Sequence, residues 1–260
     1  MNDGNGLGEG LFSAAQLADF ERDGCLCVPG FLGPEEVEWV RRASAEVEAL
    51  PELPGRQLVY WEDSLAEPGT RVRQRIEDIY SHHDGYRAFF DGPKMRGAAG
   101  ALFGEAAILF KDKINLKLAG GDGFKPHQDQ QAGWWDYAGL FITVMVSIDP
   151  TTIENGCLEV AAGQHKRGLI GKAWEPMTEA DMAGMDFRAY PTEPGDAFFF
   201  DSFAPHSSGP NTTDRPRRVL YVTYNRRREG DHRAQYYADK RKSFPPDCER
   251  EDGKSYAFRV

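Results

Sequence analysis

The sequence predicts a mainly β protein with packed helices, rolled into a double-stranded β-helix, the jelly roll of cupin-like architecture. Three observations predict it. Two helical patterns gather at the front of the chain. Seven strand-like segments then follow, at 57–61, 70–76, 108–118, 140–148, 157–160, 197–201 and 218–225. Only two further helical patterns interrupt them, so the regular strand–helix alternation of a parallel α/β sheet is missing and an antiparallel sandwich remains.

The elements can be justified in chain order. Residues 13–22 read as an amphipathic helix capped by Ser13, whose hydroxyl can accept from an orphan N–H of the first turn. Cys25–Val28 is a short strand. Pro34–Leu50 carries the strongest helical pattern, with proline and acids in its first turn, where a preset φ and negative charge suit a helix N-terminus. Pro51 and Pro54 stop it. A helix is expected near 86–103 and another near 178–184. The segment 109–118 alternates, with Phe110, Ile114, Leu116 and Leu118 on one face and Lys111, Lys113, Asn115 and Lys117 on the other. Alternation does not name the inside face. The polar side faces water or, in a barrel that holds a charged co-substrate, the interior. No repeat or long linker divides the chain, so 1–260 reads as a single domain, with 1–10 a flexible lead.

Composition narrows the partners. A net charge of −10 and a pI near 5.2 speak against non-specific binding to nucleic acid or an anionic membrane. No apolar run approaches the ~20 residues that span a bilayer. The first ten residues lack the basic and apolar regions of a secretory signal, so a cytoplasmic protein acting on a small molecule is expected. The four cysteines, at 25, 27, 157 and 248, form no C-x-x-C pair and are expected to be reduced core thiols.

The chemistry concentrates in His127-Gln128-Asp129 and His206. Residues two apart in a strand point to one face, so His127 and Asp129 can close on one metal, and His206, arriving from a distant strand, completes two histidines and one carboxylate. That set leaves adjacent coordination positions open and points to a non-haem Fe(II) oxygenase, whose co-substrate and O2 need them. The bland alternative makes His127 and Asp129 a surface pair and His206 a hydrogen-bonded loop residue. With only six histidines in the chain, and His206 preceded by a turn and the apolar run Phe198–Phe200, the metal reading is preferred. Arg217 enters the apolar strand 218–225. A buried guanidinium is costly unless it meets a carboxylate, and 2-oxoglutarate offers one at its far end. By alternation one of Arg217 and Arg218 points inward; spacing alone does not say which.

These residues, with Asn155-Gly-Cys-Leu-Glu-Val-Ala-Ala-Gly-Gln-His165, Pro194-Gly-Asp196 and His206-Ser-Ser208, resemble the phytanoyl-CoA dioxygenase family of Fe(II)/2-oxoglutarate oxygenases. Ala162-Gly-Gln-His165 departs from the family's P-G-[ST]-H but touches no ligand. The resemblance implies the jelly roll fold, iron at His127, Asp129 and His206, and the distal carboxylate of 2-oxoglutarate at Arg217. It places Asn115, Thr143 and Ser208 against the same co-substrate. With Asp129 present, the chain does not resemble a halogenase, where that position is vacated. His165 reads as structural.

The substrate is less legible. Trp134, Trp135 and Tyr137 follow the ligand pair and are candidates for the substrate pocket, against core aromatics. Arg71, Arg73 and Arg75 repeat at strand spacing and form one basic face, suited to an anionic substrate or to a solvated edge strand. Phe110–Lys117, Gly123–Asp129, Asp201–His206 and Tyr221–Asn225 look like the 2-aminoethylphosphonate dioxygenase branch, which implies hydroxylation of a small anionic or zwitterionic metabolite. Rival readings are a tailoring hydroxylase of natural-product biosynthesis, a zinc-dependent hydrolase on the same ligands, and a cupin-like binding module without turnover.

Overall fold

A computed structural model describes residues 10–256; most of the expected flexible lead lies outside the described residues. Helix α1 (Ala14–Asp23) starts at Ser13, whose hydroxyl accepts from Gln16 N while the Gln16 side chain accepts from Ser13 N. Strand β1 (Cys25–Val28) and helix α2 (Pro34–Glu48) follow, then strands β2 (Leu58–Asp63) and β3 (Arg71–Glu77). The helix expected near 86–103 is two, α3 (Asp84–Asp91) and α4 (Pro93–Phe103). Pro93 has no N–H to donate and holds Gly92 extended, with ψ 157°, so one helix ends where the next begins.

The remaining strands are β4 (Ala107–Asn115), β5 (Phe124–His127), β6 (Phe141–Ser147), β7 (Leu158–Ala161), β8 (Phe187–Tyr190), β9 (Ala197–Asp201), β10 (His206–Ser208) and β11 (Val219–Arg226). Helix α5 (Arg233–Ser243) comes last and was not anticipated. The helix expected near 178–184 is a set of turns. The Asp181 carboxylate accepts from the backbone and hydroxyl of Thr178, and Gly184, at φ +77°, ends the segment.

Two antiparallel sheets face each other, one of seven strands ordered β1-β9-β6-β11-β4-β3-β2 and one of four ordered β5-β10-β7-β8. This is the expected double-stranded β-helix. One apolar core, with Val40, Tyr86, Ile114, Phe199 and Val222, lies between the large sheet and the helices. A second, with Met145, Val160, Phe198, Phe200 and Val219, lies between the sheets. Cys25 and Cys157 are buried and Cys27 half-buried as expected, but Cys248 is exposed, and all four are free.

Two bulges decide which side chains face the inter-sheet space. On β4 the register slips between Thr223 opposite Lys111 and Tyr224 opposite Leu109, leaving Phe110 as the extra residue. Phe110 therefore joins Lys111 on the inner side while Leu109 and Ile114 face the helices. The polar face of 109–118 thus points inward. The second bulge lies opposite Tyr60 and Trp61, which pair with Arg75 and Arg73, so that Gln74 is extra on β3. That slip breaks the expected single face of Arg71, Arg73 and Arg75.

Candidate metal centre and the cavity around it

Antiparallel pairing of β5 with β10 sets His127 directly opposite His206, with ring centroids 4.3 Å apart. Asp129 does not continue the strand; it opens a 3₁₀ turn, Asp129–Ala132. Gln128 remains extended at φ −108° and ψ 139°, which returns Asp129 to the face of His127 as strand spacing would. His127 Nδ1 meets Lys125 O at 2.7 Å and His206 Nδ1 meets Ala204 O at 3.0 Å. A ring nitrogen against a carbonyl carries the proton, so each Nε2 keeps its lone pair. One donor atom from each of His127, Asp129 and His206 lies within 4.8 Å of the others, a group that could hold a metal ion. Burial, reinforced by His206, brings His127 down to about 3 and lowers His206 as well. Both imidazoles are then neutral, the form that ligates. Thr143 Oγ1 donates to Asp129 at 3.3 Å and pairs with Thr223 Oγ1 at 2.9 Å, fixing the carboxylate.

At the inner end two basic side chains have no carboxylate partner among the described residues. Arg217, 2 % exposed, donates to Gly156 O and bonds Tyr221, while its buried Nε has no partner. Lys117 donates to Ser208 Oγ at 2.8 Å and Gly156 O at 3.3 Å. Burial, then Arg217, lowers Lys117 to about 6. Gly156 makes this possible: at φ +74° a Cβ would lie 2.1 Å from Gly209 O. Tyr221, Ser208 and Asn115 line the cavity here, and Asn115 Oδ1 is buried without a partner. Arg218 points the other way, to Asp149 and Glu48, so alternation resolves with Arg217 inward.

A cavity of about 670 Å³ opens on the other side of the triad. Arg75, Lys111, Lys113 and Lys240 surround Glu77, which is fully buried. Arg75 Nε is 2.7 Å from Glu77, Lys240 Nζ 2.8 and 2.7 Å from its two oxygens, and Lys111 Nζ 3.8 Å away. Burial alone would raise the Glu77 carboxyl, but Lys111, Lys240 and Arg75 hold it far below the usual range. Lys113, between the rings of Phe124 and Tyr221, has no hydrogen bond or ion pair among the described residues. Burial and Lys111 lower it to about 7, against Glu77 and Asp129. Trp134, Tyr137 and Tyr236 form the aromatic wall.

The segment 168–177 lies alongside, tied by two fully buried glutamines that flank Asp129 at positions 128 and 131. Gln128 donates to Gly168 O and Phe203 O and accepts from Ile170 N, and Gln131 donates to Lys172 O and Glu175 O. Trp174, at φ +64°, reaches the cavity edge over Gly133, where a Cβ would sit 2.2 Å from the indole.

The expected site residues therefore divide. His127, Asp129, His206, Asn115, Thr143 and Ser208 line the inner space, and Arg217 reaches it through Tyr221. Trp134, Tyr137 and Arg75 line the outer cavity. Trp135 does not; it is 43 % exposed and packs on Trp174 outside. Arg71 pairs with Asp247 on the surface, and Arg73 turns to Glu48 O and Trp61, because the β3 bulge rotates them off the Arg75 face. His165 packs on Gly24 at the end of α1, a structural contact. Sequence reasoning missed Glu77, Lys240 and the two glutamines. Glu77 alternates with Arg75, and Lys240 follows Tyr236 by one helical turn, which were the available signals.

A jelly roll carrying two histidines and a carboxylate at one corner defines the class of non-haem metal oxygenases. The chain belongs to the phytanoyl-CoA dioxygenase family, whose sequence profile matches residues 20–219. It is 37 % identical over 247 residues to a 2-aminoethylphosphonate dioxygenase from uncultured bacterium HF130_AEPn_1, covering 95 % of this chain and 94 % of that one. It is 40 % identical over 231 residues to a methylphosphonate hydroxylase from Gimesia maris, covering 88 % and 87 %. Among solved structures it is similar to the epimerase SnoN in complex with Fe3+, alpha ketoglutarate and nogalamycin RO, with a TM-score of 0.67, 25 % identity and 82 % of each chain covered. The chain is an oxygenase. No helix among the described residues is long and apolar enough to cross a membrane.

Proposed function

We propose that this protein is a cytoplasmic, single-domain Fe(II)- and 2-oxoglutarate-dependent dioxygenase that hydroxylates a C–H bond of a small phosphonate. The observation that carries the reading is the triad itself: three ligand atoms within 4.8 Å, with both Nδ1 positions engaged by carbonyls. The residues fit both groups. His127, Asp129 and His206 would hold Fe(II). Arg217 would take the distal carboxylate of 2-oxoglutarate, satisfying its orphan Nε, with Ser208, Asn115 and Thr143 as nearby hydrogen-bonding groups. When bound, iron and 2-oxoglutarate supply the oxidation: one oxygen atom of O2 leaves in succinate after loss of CO2, the other becomes the substrate's hydroxyl.

The chain's own residues do the rest. Thr143 steadies Asp129, Lys125 O and Ala204 O fix the imidazole tautomers, and the Trp134 wall keeps bulk water off. No nucleophile is needed. The two phosphonate-oxidising relatives support the substrate class. The test is succinate release by Fe(II)-reconstituted protein with ascorbate and a panel of phosphonates, amino acids and carboxylates. Succinate stimulated by a phosphonate, with a product heavier by one oxygen, is expected; the reading fails if 2-oxoglutarate is never consumed, or if Zn(II) alone supports turnover.

A further inference from the structure

The outer cavity gathers basic groups on one wall. Arg75, Lys111, Lys113 and Lys240 converge there around Glu77, while other acids of the lining are placed elsewhere: Asp129 belongs to the triad and Asp239 is bonded to Tyr137 and Gln235. Glu77 is buried and spends both oxygens on Arg75, Lys111 and Lys240, and Lys113 makes no direct ion pair with it. Cations crowded into a low-dielectric wall repel one another unless an anion joins them. Lys113 also borders both the space beside the metal ligands and the outer cavity, so an anion held there reaches the triad.

We propose that Lys113, Lys111, Arg75 and Lys240 form the subsite for the substrate's doubly charged phosphonate head, and that Glu77 is the residue that positions three of them. The inference rests on the dioxygenase reading and adds to it where the substrate's charge sits. A phosphonate dianion offers three oxygens and two charges to several N–H donors at once, whereas a carboxylate offers two oxygens and one charge. Lysines, as compact point charges, suit the tetrahedral head. Because Lys113 lines both spaces, a phosphorus end held there would bring the carbon bonded to phosphorus toward the metal ligands. Lys240 comes from α5, outside the residues that the family profile matches. Arg75, Glu77, Lys111 and Lys113 lie within that match, so the wall joins residues of the matched region to one from beyond it.

The test is the dissociation constant of 2-aminoethylphosphonate for the anaerobic Fe(II)–2-oxoglutarate protein, read by tryptophan fluorescence, alongside steady-state turnover. Methylphosphonate and 3-aminopropanoate, the carboxylate counterpart, serve as comparison ligands. Lys240→Met and Lys113→Met should each weaken phosphonate binding about tenfold or more, raising KM more than they lower kcat, and Lys240→Arg should recover most of the loss. The carboxylate counterpart should bind at least about tenfold more weakly to the wild type than the phosphonate. Glu77→Gln should behave like Lys240→Met, and the two lysine variants test the subsite independently of whether it folds. Arg71→Met, on the surface, is the control and should bind like the wild type. Phosphonate affinities of both lysine variants within about twofold of wild type would overturn the subsite while leaving the oxygenase reading intact. Succinate release with some other substrate, but no binding of any phosphonate, would do the same. Absence of 2-oxoglutarate consumption with every ligand would remove the oxygenase reading and the subsite together.

Discussion

Both ends of the cavity gather basic side chains but are built differently. At the inner end Arg217 and Lys117 are held by neutral acceptors, the Gly156 carbonyl and the Ser208 hydroxyl, and no carboxylate among the described residues pairs with them. At the outer end the cations are organised around one carboxylate, Glu77. Carbonyl and hydroxyl oxygens orient a cation without cancelling its charge, so the Arg217 guanidinium is left to meet a single carboxylate. A buried acid cancels part of the charge and fixes the geometry of the basic groups around it, so that several N–H donors point to one place and suit a larger anion. The basic groups of the inner end and their acceptors, Arg217, Lys117, Ser208 and Gly156, all lie within the family match, whereas the outer end also draws on Lys240 of α5 beyond it. One end serves the 2-oxoglutarate co-substrate; the other is the proposed seat of the substrate's charge.

The sharpest way to break the comparison is Arg217→Met, which removes the inner cation while keeping its bulk. Loss of a buried charged partner costs about 2–5 kcal/mol, so the KM for 2-oxoglutarate should rise roughly 30-fold or more. A KM that stays near wild type would take the inner end away from 2-oxoglutarate. Gln128→Ala comes next. It removes the anchor to Gly168, Phe203 and Ile170 beside the outer cavity, at about 1–3 kcal/mol. A melting temperature lowered by roughly 3–10 °C is expected, measured by calorimetry.

The back face of β4 sharpens the comparison by contrast. Burial, then Asp78, raises Asp112 to about 7. A carboxyl whose folded pKa exceeds its unfolded value binds more protons when folded, so its contribution is fully present below about 4 and is lost as pH rises toward 7. Asp112→Asn keeps the acceptor for Ile79 N and Tyr80 N and should flatten that slope by more than ~1 kcal/mol in denaturant melts at pH 5 and 8. An unchanged slope would show that Asp112 stays ionised. The smallest effect is Trp135→Ser, within about 0.5 kcal/mol in the same melts and with unaltered substrate KM, since the ring lies outside the cavity.

What the sequence made legible follows from how local each signal is. The triad was readable because extended backbone at Gln128 carries two-residue spacing through to Asp129 even where the strand has ended. The capping box at Ser13 and the stop at Pro51 are equally local. The inward polar face of β4 was open, because alternation sets periodicity but only the opposite sheet decides which side is inside. The basic stripe on β3 misled because a bulge at Gln74 depends on how β2 pairs, which no residue of β3 announces. Glu77 and Lys240 are 163 residues apart and meet only in three dimensions. Gly92-Pro93 was a local signal that the reading of one long helix passed over.

The most direct measurement is a crystal structure of the anaerobic Fe(II) protein with 2-oxoglutarate and 2-aminoethylphosphonate bound together. Iron on His127, Asp129 and His206, the far carboxylate of 2-oxoglutarate within about 4 Å of Arg217, and phosphonate oxygens within about 4 Å of Lys113 and Lys240 is the predicted result. Phosphonate at Arg217, or bound away from the Glu77 cluster altogether, would contradict the division of the cavity into two ends.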